Sequence, residues 1–306
     1  MGRFLLVRLS HALLVVFGVS LIAFGLMHLS GDPAALLLPP SATRQDIELF
    51  RRQLGLDRPL PVQYLDFLSH AARGDFGRSL RHDQPALELV LERVPATLEL
   101  SAVALALALL IAIPLGILAA VRRGSIFDQA SLVLSLIGQA FPIFWLGILL
   151  IIVVAENLRW LPASGRGGPQ HLVLPALALS SYSTAMITRL LRSSLLEVLG
   201  ADFIRTARAK GLSGRAVLLG HAVKNAALPV VTVIGLQIGA LLGGAVITEE
   251  VFAYPGMGRL AVQAIANRDF TVVQAFVVLM AVVIVAINLL VDLLYAWLDP
   301  RVKVEA

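Results

Sequence analysis

The sequence predicts an all-α integral membrane protein with six transmembrane helices and an extracytoplasmic helical segment after the first. Three observations carry that prediction. Hydrophobic residues fill 58% of the 306 positions and charged residues only 15%, an apolar share that a soluble domain of this length does not need. Six stretches can each cross about 30 Å of hydrocarbon, which takes roughly 20 helical residues. Between the fourth and fifth stretches lies a basic, helix-forming segment, Ala201-Asp202-Phe203-Ile204-Arg205-Thr206-Ala207-Arg208-Ala209-Lys210-Gly211-Leu212-Ser213. It has no reason to enter lipid.

The spans are expected near residues 8–29, 98–121, 130–155, 172–192, 227–248 and 273–298. The first is expected to be a retained helix. Its apolar stretch exceeds a typical signal-peptide core, and Met27-His28-Leu29-Ser30-Gly31-Asp32-Pro33 offers no A-x-A-like cleavage site. Pro142 and Pro175 interrupt the third and fourth spans. Membrane helices tolerate proline where neighbours satisfy the freed carbonyl. The chain is thus divided into residues 1–29, an outer segment 30–96, and a five-helix core 97–306 with a polar loop at 194–226.

Orientation follows from lysine and arginine placement. Thirteen of them, including all three lysines, fall on one side of the bundle, and four (Arg159, Arg166, Arg259 and Arg268) fall in short loops on the other. Eight lie in segment 30–96, which is long enough to translocate regardless of charge. Both termini and the 194–226 loop are therefore expected in the cytoplasm, and segment 30–96 outside. The net charge of +5 is divided among short loops, so it does not point to nucleic acid.

In the outer segment, Ile47, Phe50 and Leu54 share one helical face. Thr43 is placed to cap that helix and Gly55 to end it. Residues 62–72 form a second amphipathic helix, closed by Gly74-Asp75-Phe76-Gly77. The segment is either a small lid packed on the bundle or a docking surface or gate for a soluble partner.

The polar loop is expected to hold two short helices, one from about Leu195 to Ala209 and one ending near Ala226, with Pro229 opening the fifth span. Gly211 suits the left-handed position that closes a helix, and Ser213 suits the cap of the next. Arg205, Arg208, Lys210 and Arg215 stand beside the small Ala207 and Ala209. An ordinary positive-inside loop and a docking element both fit the charge; the helix–Gly–helix order favours docking.

Polar residues inside spans require reasons. Gln139, the cluster Ser180, Ser181, Tyr182, Ser183 and Thr184, Gln237, Asn288 and Asp292 are such residues. Interhelical hydrogen bonding accounts for them; a lining of the transport path is the alternative, with Gln237 first because Gly235, Gly239, Gly243 and Gly244 leave room around it. Gln139, Ser181 and Ser183 follow. Asp292 is expected to pair with an arginine. After the fifth span, Glu249, Glu250, Phe252 and Tyr254 precede a Pro255-Gly256 turn. That stretch is read as an outer gate, its carboxylates attracting a cationic group or capping a helix.

Several chemistries find no support. The lysines follow Ala209, Val223 and Val302, so the Gly-Lys pair of a P-loop is absent and ATP has no such site here. Cysteine is absent, which removes thiolate chemistry. The six histidines, at 11, 28, 70, 82, 171 and 221, include no pair at metal-ligand spacing. No nucleophile–base pattern supports an intramembrane enzyme, and no convincing internal repeat supports a secondary transporter, for which only Asp292 resembles a buried coupling charge.

The loop resembles that of the membrane subunits of ABC importers, whose Glu-Ala-Ala, three-residue, Gly pattern is met here by Arg205-Thr206-Ala207 and Gly211. Only the second alanine and the glycine match literally, and Leu228-Pro229 lies further along than in the sugar importers. The whole chain is similar to the dipeptide/oligopeptide/nickel branch. The matching blocks are Arg205 to Ser213, His221 to Pro229, Leu54 to Leu60, Gly74 to Ser79, Leu161 to Gly165, Phe252 to Gly258 and Asp292 to Arg301. The outer segment matches the first of the two paired permeases.

The resemblance implies a type I permease fold and a pseudo-twofold pairing with a second permease subunit. It also implies two ATPase subunits that hold ATP and magnesium, a substrate-binding protein outside, and a bacterial cytoplasmic-membrane location. This chain would bind no cofactor. Residues Ala201, Asp202, Phe203, Arg205, Thr206, Ala207, Arg208, Ala209, Lys210, Gly211 and Leu212 would form the coupling element. Peptides are the expected substrate, with nickel chelates, glutathione or another small solute as alternatives.

Overall fold

The computed structural model describes residues 2–29, 38, 43–53, 55–79 and 81–298. Every regular element among them is helical. The helices are α1 (Gly2–Leu29), α2 (Arg44–Gln53), α3 (Leu60–Ala71), α4 (Ala86–Val121), α5 (Ile126–Ala140), α6 (Ile143–Leu150), α7 (Gln170–Leu199), α8 (Asp202–Ala209), α9 (Val223–Val251), α10 (Met257–Ala266) and α11 (Phe270–Leu298). Two π-helical stretches join them, Ile151–Asn157 after α6 and Ala216–Ala222 before α9.

Among the described residues, four helical stretches are long and apolar enough to cross a membrane: Leu6–His28, Ala86–Val121, Ala216–Val251 and Phe270–Asp292. A fifth exists only if α5 and the α6 stretch act together, because they bend by 106° at their junction. The expected third span is thus broken at Phe141-Pro142. Proline lacks the N–H and disfavours helix in the residue before it, and Phe141 is extended at ψ 130°. The expected fourth span is α7, a 30-residue helix whose serines, threonines and arginines lower its hydropathy. Pro175 lies inside α7 and Pro229 inside α9, so neither breaks nor opens a helix. One turn before Pro229, the Asn225 amide donates to the His221 carbonyl at 2.7 Å.

The chain packs as two units, residues 1–95 with 256–306, and residues 96–255. In the first, α1 packs along α11 and carries α3. Tyr64 of α3 is buried against α1, sharing a hydrogen bond of 2.8 Å with Ser20, and Phe24 and Phe67 ring it. The Thr43 hydroxyl accepts from the Asp46 N–H at 3.3 Å, and Gly55 has φ +66°, so both residues take the roles expected of them at the ends of α2. Leu54 of the expected apolar face lies outside the described residues. The Gly74–Ser79 block is tied to the α10–α11 corner: the Ser79 hydroxyl donates to Asp269 at 2.6 Å, and Arg81 donates to Asn267 at 2.6 Å. Asp292 pairs with Arg8 at 3.1 Å, the arginine partner the sequence called for.

In the second unit, α7 is the hub on which α5, α6 and α9 all pack. α4 buries Leu100, Ala104, Ala108 and Ala112, a four-residue repeat of mostly small side chains that lets helices approach closely. Gly116 and Gly138 lie tight on α7: a Cβ at Gly138 would stand 2.9 Å from the Ser181 carbonyl oxygen.

Candidate functional site

The basic segment forms α8, an eight-residue helix that closes one end of the second unit. α7 runs unbroken to Leu199, so the helix expected from Leu195 begins only at Asp202. The apolar pattern ends near Arg192, but nothing in Ser193–Leu199 stops a helix. Extended backbone at Ala201, ψ 151°, makes the break. Asp202 in the first turn and Arg208 in the last both suit the helix dipole.

Two side chains hold α8. Ile204 and Ala207 are buried with Ala112, Ala120, Ile187, Leu191, Leu195 and Val217. Ala207 therefore anchors the helix and offers no outer surface. The remaining residues, Asp202, Phe203, Arg205, Thr206, Arg208, Ala209 and Lys210, are exposed, as are Gly211 and Leu212, while Ala201 is half-buried. Phe203 keeps 44% of its surface exposed amid these charges. Gly211 has φ +79°. Its N–H donates to the Arg208 carbonyl at 2.9 Å and that of Leu212 to Ala207 at 3.4 Å, the paired bonds of a glycine-closed helix end. The Ser213 hydroxyl then accepts from the Ala216 N–H at 3.3 Å. Beside α8 lies a groove of about 450 Å³, with Val121, Leu199, Val217 and Leu218 below Arg208 and Arg215.

The residues weighed as path lining are placed differently. Gln237 and Ser183 are buried and bonded to each other at 2.8 Å. Ser181 is half-buried and donates to the Ala178 carbonyl at 2.8 Å. Gln139 is half-buried at the end of α5, and Asn288 is exposed on α11.

At the other end of the second unit, Glu249 and Glu250 lie inside the last turn of α9. Glu249 is fully buried and accepts from the Thr97 hydroxyl at 2.5 Å; a carboxylate at a helix C-terminus does not cap it. Glu250 is exposed. Phe252 is buried, with its carbonyl accepting from the Gly165 N–H at 2.9 Å. The buried Tyr254 donates to Glu99 at 3.2 Å, and Arg166 donates to the same oxygen at 2.5 Å. Burial, then the nearby Glu99 charge, pushes the Tyr254 phenol up to about 12. Arg166 is held further into its charged form by Glu99. Of the expected gate residues, Phe252 and Tyr254 thus stand in one packed corner.

Sequence reasoning passed over Thr97, Glu99 and Asp128. The signal was present: a carboxylate in the first turns of an apolar span requires a partner.

The long apolar helices define an integral membrane protein, one end of whose second unit carries a short basic helix. The chain belongs to the family of binding-protein-dependent transport system inner membrane components: residues 112–304 match that family, and residues 1–101 match its N-terminal companion. It is thereby a multi-pass inner membrane protein.

Its relatives are permeases along their whole length. The dipeptide transport system permease protein DppB of Escherichia coli strain K12 is 40% identical over 340 residues, covering 99% of each chain. DppB of Alkalihalophilus pseudofirmus is 40% identical over 325 residues, covering 97% of this chain and 98% of the relative. The glutathione transport system permease protein GsiC of Escherichia coli strain K12 is 42% identical over 304 residues, covering 99% of each. Among solved structures, an inward-facing MetNI methionine ABC transporter chain matches with a TM-score of 0.58 at 21% identity, covering 69% of this chain and 96% of that one. That likeness supports the type I permease fold.

Proposed function

We propose that the chain is the transmembrane subunit of an ATP-driven importer and forms half of a translocation path for di- and oligopeptides across the bacterial cytoplasmic membrane. The observation that carries this reading is α8. Two buried anchors hold it to the bundle, and its outer face is basic with one exposed aromatic, Phe203. Aromatic and arginine side chains are the usual anchors of protein interfaces. The partner is a pair of ATPase subunits, which hold ATP and magnesium. A second permease subunit completes the path, and a binding protein delivers substrate from outside. The chain itself is non-catalytic. Lysine and arginine placement puts both termini and α8 in the cytoplasm. The peptide substrate comes from full-length similarity to dipeptide permeases.

Reconstitution tests the reading. Proteoliposomes holding this chain, its second permease, both ATPases and the binding protein take up labelled dipeptide only with ATP. Uptake by the purified chain alone would refute it.

The glutathione permease relative, 42% identical over 304 residues, favours a second substrate in the same class. Competition between labelled dipeptide and glutathione, using the cognate binding protein, separates the two.

A further inference from the structure

α5 is fastened to α7 at two places. Near the end that carries α8, Arg192 grips Asp128 through two bonds, Nε to Oδ1 at 2.5 Å and Nη2 to Oδ2 at 2.9 Å. The side chains are 19% and 5% exposed. Asp128 also accepts from the Gly124 N–H at 2.9 Å, so one carboxylate joins the α4–α5 turn, the start of α5 and the body of α7. Ten residues further, about 15 Å along the helix, Gly138 sits against the Ser181 carbonyl with no room for a Cβ.

The ion pair stands level with the packing of α8. Leu191 and Leu195, on either side of Arg192 in sequence, share a buried cluster with Ile204 and Ala207. α8 is thus joined to α7 by apolar contact where α7 is joined to α5 by charge. α5 then ends at the 106° bend into α6. A buried ion pair adds little net stability, because desolvation offsets the attraction, but it can fix one arrangement against its alternatives.

We propose that Asp128 and Arg192 are positioning residues for transport. They lock α5 to α7, so that a displacement of α8 reaches the α5–α6 bend instead of being lost as slip between helices. The proposal rests on α8 being the ATPase-facing element.

Spin labels test it in the assembled transporter with its ATPases. The chain has no cysteine, so Leu134→Cys on α5 and Tyr182→Cys on α7, both exposed, give a clean pair. The expected distance is the same without nucleotide and with ATP bound. In Asp128→Ala it broadens or shifts with ATP, uptake falls about tenfold, and ATP hydrolysis by the complex stays within about twofold. A purely structural bond would lower both rates together through loss of complex. A distance that changes between nucleotide states without the Asp128 substitution would overturn the proposal, as would full uptake by Asp128→Ala. If Asp128→Ala does not assemble, the distance measured without it still decides. Lack of ATP-driven uptake by the unsubstituted complex would instead remove the transport reading beneath it.

Discussion

Gln237 of α9 donates to the Ser183 hydroxyl of α7 at 2.8 Å, with both side chains buried. Two residues expected to line a path therefore satisfy each other, and of the glycines around Gln237, Gly244 serves helix approach. Gly244 lies so close to α7 that a Cβ would stand 3.0 Å from Leu179. Gln237→Ala is expected to cost on the order of 1 kcal/mol, and its double-mutant cycle with Ser183→Ala to return about 0.6 kcal/mol of coupling, the usual size for such bonds in membranes. Thermal unfolding in detergent measures both. A shift in peptide selectivity with unchanged stability would assign Gln237 to the path.

Gly211 ends α8 at φ +79°, where no other residue fits without strain. Gly211→Pro also removes the N–H that closes the helix. It is expected to leave insertion intact while separating ATP hydrolysis from uptake, and Arg208→Glu on the exposed face is expected to do the same. Normal uptake and normal ATPase association in both variants would contradict the role of α8.

Tyr254 supplies a pH test. Its phenol is raised from 10.0 to about 12 in the folded chain. Above pH 10 the unfolded chain releases this proton first, so folding stability falls as pH rises. The contribution is whole below pH 10 and is lost as pH climbs through about 12. Unfolding curves between pH 9 and 12 check this, with Tyr254→Phe as the comparison. The substitution is expected to flatten that part of the pH profile.

Gly138→Ala places a Cβ 2.9 Å from a backbone oxygen that cannot rotate away. Backbone shifts of this kind cost about 1–3 kcal/mol. The melting temperature is expected to drop, and Gly243→Ala, where a Cβ meets nothing within 4 Å, is the matched control.

Most of the bundle was legible in the sequence, because long apolar runs leave a chain few alternatives in lipid. The edges were not. Hydropathy marks where lipid ends, whereas α7 continues past Arg192 because its backbone bonds continue. The ends of α2 and α8 were legible because Thr43, Gly55 and Gly211 are chemically suited to those backbone positions. The Asp128–Arg192 bond was not, since the partners lie 64 positions apart and Arg192 reads as one more basic residue at a span's end. Glu249 read as exposed because its helix was expected to stop earlier.

The most direct measurement is site-directed labelling from Thr206→Cys on the exposed face of α8, in a chain otherwise free of cysteine. In intact cells the thiol is expected to resist a membrane-impermeant maleimide, and in inverted vesicles to react with it and to cross-link to an ATPase subunit. Labelling from outside intact cells would contradict the account.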